Sequence, residues 1–244
     1  MKKIVALLLV AVLAVALVAC GGEKANVVTM GTNAAFEPFE FIEGEEIVGI
    51  DPEISAAIAE KLGKELKISD MEFESLLGAL STDKVDFVAA GMTANDERRK
   101  EVDFSETYYT ATQGIIVAED SDIKGIEDIL DKRVGAVTGY TGEYICAEDY
   151  KIAGLVTFKR GVDAVMELKN GKLDAVVIDL QPAKMFVNAN KGLKVIEDPS
   201  FEAEEYAIAV AKDNTELLDK INGALEELLA DGTIDAIMDK YIEE

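Results

Sequence analysis

Apolar residues in this chain follow two patterns, short unbroken runs and stretches where they recur every three or four positions. The runs predict buried strands, and the spaced stretches predict helices with one apolar face. Val27 to Met30 opens the series as a short buried strand, and residues 33–41 read as a loop running into alternating Phe39 and Phe41. Asp51 followed by Pro52 predicts a helix start, with Asp as cap and Pro at the first helical position. That helix carries Ile54, Ala57, Ile58 and Leu62 on one face and stops near Gly63. Leu76, Leu77 and Leu80 mark a second helix, and residues 85–90 a second strand. Residues 93–100 read as a helical turn opened by the pair Thr93 and Asp96. Strands follow at 114–118, 133–137, 155–158, 175–178 and 206–210. Between and after them lie helices with Val162, Val165 and Leu168 on one face, with Met185 and Phe186 after Pro182, with Leu217 to Leu228, and from Ile234 to Tyr241. Strands alternating with helices predict parallel α/β sheets.

One helix-to-strand element occurs twice. It reads Leu80, Lys84, Val85, Asp86, Val88 in one half and Leu168, Lys172, Leu173, Asp174, Val176 in the other. Matched position by position, Gly91 and Asp179 fall at the same place, just past a buried strand. Ligands of open α/β sheets collect outside the carboxyl ends of strands, so two similar lobes should face one ligand. No Pro/Gly/Ser-rich linker separates them. Plain strands near residues 108–112 and 204–206 should join the lobes, the chain leaving lobe 1, building lobe 2 and returning.

The first residues do not fit this scheme. Lys2 and Lys3 precede 16 apolar residues, Ile4 to Ala19, ending Leu-Val-Ala-Cys-Gly-Gly at Gly22. This describes a secretory signal, and it is short for a membrane span of about 20 residues. The run before Cys20 resembles the lipobox of bacterial lipoproteins, which implies cleavage before Cys20 and lipid on its sulfur and amino group. Only Cys146 then remains, and a single Cys forms no internal disulfide, so packing is its expected role. The net charge of −24, made more negative when Lys2 and Lys3 are removed, repels nucleic acid and anionic lipid. The absence of His excludes His-based triads, metal sites and proton relays. No calcium-binding loop pattern is present, and no cofactor or metal is expected.

Several segments together resemble the solute-binding proteins of polar amino-acid ABC transporters, the bacterial extracellular solute-binding protein family 3. They are T-N-A-A-F-E-P-F-E-F from Thr32, V-G-I-D-P-E-I from Val48 and M-E-F-E-S-L-L-G-A-L from Met71. V-D-F-V-A-A-G-M-T-A-N-D-E-R from Val85, V-D-F-S-E-T-Y-Y from Val102 and L-D-A-V-V-I-D from Leu173 continue the series. The resemblance runs from about Val27 to Tyr241. It implies a periplasmic-binding-protein-like type II fold, two α/β lobes joined by a two-strand hinge with the ligand cleft between them. The expected divisions are a signal peptide over 1–19, a lipidated tether over 20–26, lobe 1 over 27–109 and 206–244, and lobe 2 over 110–205. The implied function is extracytoplasmic capture of a polar or charged free amino acid by a monomer held to the membrane through Cys20. Delivery would be to ABC permease subunits, with Glu and Asp on the lobe rims as docking charges.

A zwitterionic amino acid calls for a fixed cation at its carboxylate and a fixed anion at its ammonium. Arg98, whose planar fork pairs with a carboxylate, reads from the residues alone as a solvated helix charge. The resemblance assigns it the carboxylate, seven residues after the strand-end Gly91, with Gly91 and Met92 also at the ligand and Thr93 adding a hydroxyl or amide. Asp179 reads equally as a cap before Pro182 or as the ammonium partner, and the resemblance favours the latter. Phe36 and Phe73 resemble the aromatic pair that sandwiches the ligand side chain. Thr138-Gly139-Tyr140-Thr141-Gly142 follows a strand and precedes a helix, so its amides can receive an anion, and Thr141 or Gly142 is implied as a carboxylate contact. Asn33 stands where glutamine and basic-amino-acid binders carry Asp, Thr138 where a glutamine binder has Lys, and Ile178 where it has His. For a cationic side chain, Glu37 or Glu40 could compensate for the neutral Asn33. The alternatives are a ligand-sensing domain, disfavoured because the chain stops at Glu244 without a signalling segment, and a cyclohexadienyl-dehydratase-like enzyme. The enzyme would need a proton donor and acceptor at the substrate ring, where Asn33, Thr138 and Ile178 offer none.

Overall fold

The computed structural model describes residues 26–242. The expected signal peptide, the lipidated Cys20 and nearly all of the tether lie outside these residues. Among the described residues no helix is long and apolar enough to cross a membrane.

Two five-stranded sheets form the body. The first uses β1 (Val27–Thr32), β5 (Glu65–Asp70), β6 (Phe87–Val88), β7 (Val102–Ala111) and β13 (Glu204–Ala211), in the order β5-β1-β6-β13-β7. The second uses β8 (Gln113–Ala118), β9 (Arg133–Val137), β10 (Gly154–Phe158), β11 (Ala175–Asp179) and β12 (Leu193–Ile196), in the order β10-β9-β11-β8-β12. In each sheet the early strands are parallel, β1 to β5 and β6, β9 to β10 and β11. The later partners run antiparallel, β13 to β6 and β7, β8 to β11 and β12. The sheets are therefore mixed, not purely parallel as alternation alone predicts. A strand that crosses between lobes enters its sheet without a helical crossover, so antiparallel pairing is open to it.

The helices follow the apolar spacing. In α6 (Thr215–Ala230) the buried residues Ile221, Ala224, Leu225 and Leu228 form one stripe, and the Asn214 side chain accepts from the Leu217 amide at the N-terminus. α1 (Ile50–Lys61) also covers the first sheet, and α7 (Thr233–Tyr241) packs against α1 and α6. α3 (Thr141–Tyr144), α4 (Gly161–Lys169) and α5 (Leu180–Ala189) serve the second. Val162, expected on the apolar face of α4, is 44% exposed, while Ala164, Val165 and Leu168 are buried. Ile115 and Val117 of β8 face one apolar cluster and Ile116 faces the other, as the two-residue period of a strand buried on both sides requires. Cys146 is fully buried in the second cluster, and burial pushes its thiol up to about 12.

Three expectations in the first lobe need correction. Residues 33–41 are not a plain loop: β2 (Ala35–Phe36), β3 (Glu40–Glu43) and β4 (Glu46–Val48) form a small antiparallel sheet. Asp51 does not cap α1, which starts at Ile50 after Gly49. Its carboxylate instead accepts from the Gly91 amide at 2.7 Å and the Tyr108 hydroxyl at 3.0 Å. Thr93 does not open a helix with Asp96 either: Asn95 accepts from the Arg98 amide at 2.9 Å, and the turn itself is a 3-10 turn over Arg98–Lys100. At Asp51, partners distant in sequence outcompete the local cap.

Candidate functional site

The duplicated element places both strand ends at one point between the sheets. Gly91 follows β6 with φ +50, and a Cβ there would meet Phe36 Cε1 at 2.5 Å. Glycine therefore allows the Phe36 ring to lie against the backbone. Asp179 ends β11 and stands immediately before α5, but its side chain makes no cap bond to that helix. It accepts from the Tyr206 hydroxyl at 2.5 Å. A narrow space with room for no more than about one water lies between these ends, lined by Phe36, Phe73, Gly91, Thr93, Arg98, Tyr140, Thr141 and Asp179.

Arg98 reaches this space from the 3-10 turn and spans the two lobes. Nη1 donates to the Thr93 carbonyl at 2.8 Å and Nη2 to the Gly139 carbonyl at 3.0 Å. Its guanidinium lies 5.1 Å from the centre of the Phe73 ring, in cation–π range. A guanidinium has five N–H groups, so donors remain for a bidentate anion. The Thr141 hydroxyl donates to the Thr93 hydroxyl at 3.1 Å, a second tie across the cleft.

Asp179 is buried, and burial followed by the nearby Glu204 carboxylate raises its pKa to about 7. Glu204 itself accepts from the Thr93 hydroxyl at 2.6 Å and from Gln113 at 2.7 Å. The same desolvation raises Asp51 to about 6 and holds the adjacent Glu40 well above the carboxylate range. The site is thus a buried, net acidic pocket in which one guanidinium faces two carboxyl groups. Such an arrangement is chemically suited to a carboxylate at Arg98 and a cation at Asp179.

Of the residues expected at the ligand, the space brings together Phe36, Phe73, Gly91, Thr93, Arg98, Thr141 and Asp179. Met92 is fully buried in the core, its carbonyl accepting from Ala207. Thr138 stands outside the lining, its amide donating to Phe158. Gly142 packs tightly under Gln113 and the Val177 carbonyl. Asn33 is buried behind the space, donating to the Met71 carbonyl and accepting from the Tyr140 hydroxyl. Glu40 faces Asp51 and Glu37 is exposed, so neither lines the space. Tyr140, Glu204 and Tyr206 were not anticipated as site residues. An aromatic inside an otherwise small-residue turn is the one local signal that could have marked Tyr140.

Residues 28–244 match the family described as bacterial extracellular solute-binding proteins, family 3. The arginine-binding extracellular protein ArtP of Bacillus subtilis is 38% identical over 250 aligned positions, covering 99% of this chain and 98% of that protein. An ancestral arginine-binding protein solved with arginine is 41% identical, with a TM-score of 0.84 over 89% of this chain and 99% of that one. The ancestral amino acid-binding protein AncCDT-1, a precursor of cyclohexadienyl dehydratase, is 31% identical, with a TM-score of 0.83 over 90% of this chain and 96% of that one. On this match and on its two-lobed fold, the chain belongs to the bacterial extracellular solute-binding proteins, family 3.

Proposed function

We propose that this protein captures a free α-amino acid in the cleft between its lobes and presents it to an ABC importer permease. The observation that carries this reading is the enclosure of Arg98 and Asp179, from different lobes, in one space with two aromatic rings. The ligand carboxylate takes the free N–H groups of Arg98 and, once it turns away from Thr93, the Thr141 hydroxyl. The ligand ammonium takes Asp179. A molecule holding both partners binds the closed arrangement better than an open one, and that difference in affinity is what shifts the equilibrium towards closure. The lobes, 27–109 with 206–244 and 110–205, close about the two crossing strands. The protein acts as a monomer tethered by lipid on Cys20, with acidic rim residues docking on basic permease residues.

A thermal-shift screen of residues 21–244 against the common amino acids tests the reading. A ligand at 100 times its Kd stabilises the fold by about 2.7 kcal/mol; a screen in which no amino acid moves the transition overturns it. Incubation with arogenate or prephenate should leave both unconverted, and ring-opened or aromatised product would establish the dehydratase alternative instead. Mass spectrometry should find lipid on Cys20, and recovery of normally lipidated Cys20→Ala protein would refute that anchor.

A further inference from the structure

Glu204 opens β13, the strand by which the chain returns to lobe 1. It shares a buried face with Tyr206 two residues on, while Glu205 between them is exposed. Its carboxylate is held from both lobes. Oε2 accepts from the Thr93 hydroxyl at 2.6 Å, and Oε1 accepts from Gln113 Nε2 at 2.7 Å. Gln113 is also the cross-strand partner of Asp179, β8 against β11, and its side-chain amide reaches the Asp179 carboxyl as well. Two carboxyl groups thus meet around one amide, with the Tyr206 hydroxyl donating to Asp179 from the other side at 2.5 Å. We propose that Glu204 is a positioning residue of the ligand site, which fixes the Thr93 hydroxyl and governs the charge that Asp179 presents to an arriving ammonium. The inference rests on the amino-acid-binding reading of the same site.

Two observations support the role. The first is the direction of the hydrogen bonds. Thr93 has one hydroxyl proton, and Glu204 takes it. Towards the cleft the Thr93 oxygen can then only accept, as it does from Thr141 at 3.1 Å. The second is the charge around Asp179. The titratable groups that face it are Glu204 and Tyr206 on β13, Arg98 on the 3-10 turn, Tyr109 on β7, Tyr140 before α3 and Glu40 on β3. Burial holds the three tyrosines in their neutral form, and Glu40 is turned to Asp51. Burial is also the largest cause that raises Asp179, and the Glu204 carboxylate is the next. Glu204→Gln separates charge from contact. The amide oxygen still accepts from Gln113, and the amide nitrogen can donate to the Thr93 oxygen, since a hydroxyl accepts as readily as it donates.

Carbon-13 NMR of the Asp179 carboxyl in the ligand-free protein, assigned with Asp179→Asn, tests the proposal in wild type, Glu204→Gln and Gln113→Met. The wild-type carboxyl should titrate at about 7. In Glu204→Gln the midpoint should fall by at least about half a pH unit, because the like charge is gone. In Gln113→Met it should rise, because the shared donor is gone. Calorimetry with glutamine and arginine adds the ligand side. Wild-type affinity should be about tenfold weaker at pH 6 than at pH 8, and Glu204→Gln should cut that ratio to about fourfold or less. A midpoint in Glu204→Gln that falls by less than the stated amount overturns the inference and leaves the amino-acid reading standing. If neither these two nor any other common amino acid binds wild type, the amino-acid reading fails and the ligand role of Glu204 with it. Should circular dichroism show Glu204→Gln unfolded, Gln113→Met decides, and a midpoint there that does not rise overturns the inference.

Discussion

In lobe 1 the strand that ends at Gly91 begins at Asp86, whose carboxylate accepts from the Thr29 amide at 2.6 Å while its own amide donates to the Thr29 carbonyl at 2.8 Å. In lobe 2 the strand that ends at Asp179 begins at Asp174, which makes the same two bonds to Arg133, at 2.9 and 2.8 Å. Leu80 and Leu168, Val85 and Leu173, Val88 and Val176 are all buried at matched places. The far ends diverge. Gly91 gives up its side chain so that Phe36 can approach and leaves its amide to Asp51, whereas Asp179 offers a charge. The start of the repeated strand is set by what the fold needs and the end by what the cleft needs. On the proposed reading, the two copies of one framework would take opposite halves of a zwitterion, with Arg98 supplying the charge that Gly91 lacks.

The comparison can be broken most severely at its charged end. Asp179→Ala and Arg98→Ala should each weaken amino-acid binding by roughly 2–5 kcal/mol, because the partner charge is left buried and unpaired. Circular dichroism should report an unchanged fold, and a loss under threefold by calorimetry would contradict the assigned roles. A smaller effect comes from pH. With its pKa raised to about 7, Asp179 carries a proton below that pH and must lose it to meet an ammonium. Affinity should fall about tenfold for each pH unit below 7, with proton release on binding at pH 6 and none at pH 8. An affinity that stays flat from pH 5.5 to 8 would rule this out. The same shift acts on stability with a definite sign. The folded protein holds protons on Asp179, Asp51 and Glu40 that the unfolded chain has released, so the ligand-free transition temperature should drop as pH rises from about 4 to about 7. Asp103 and Asp174, lowered by Lys212 and Arg133 respectively, act in the opposite sense, their contribution being lost as pH falls through about 4 and below.

The glycine end should respond more weakly. Gly91→Ala places a methyl group against Phe36 in a left-handed conformation, costing more than about 1 kcal/mol of stability. A variant as stable as wild type in urea would show that the contact relaxes freely. The smallest expected effects lie at the shared starts. Asp86→Ala and Asp174→Ala should cost about 1–2 kcal/mol each, Asp174 the more because its carboxylate also takes the Arg133 guanidinium at 2.7 Å. Denaturation midpoints that rank the two in the reverse order would mean that the exposed ion pair contributes nothing.

What could be read from the sequence was whatever the chain states locally. α6 showed itself through Leu217, Ile221, Leu225 and Leu228, and β9 through an apolar run with its full length. The repeated element led to Gly91 and Asp179 because each copy has its own periodicity. The sheet of β2, β3 and β4 stayed hidden because its strands have two, four and three residues, too short for any pattern. Asp51 has every local mark of a helix cap, yet its partners lie 40 and 57 positions away. Tyr140 was passed over because its turn was read for backbone amides, and nothing local shows that its ring meets Phe36 and Phe73.

The ladder that joins β7 to β13 slips twice, between Tyr206 and Ala207 and again between Ala207 and Ala209. A ribbon with an unbroken ladder resists bending along its length like a beam, and each slip introduces slack. The slack of this pair therefore begins just after Tyr206. That same residue bridges to Thr93 through its backbone and holds Asp179 through its hydroxyl. An irregular point of the frame and a contact of the candidate site thus share one residue. On the proposed reading, an ammonium arriving at Asp179 would pull on this joint directly, through the Tyr206 hydroxyl.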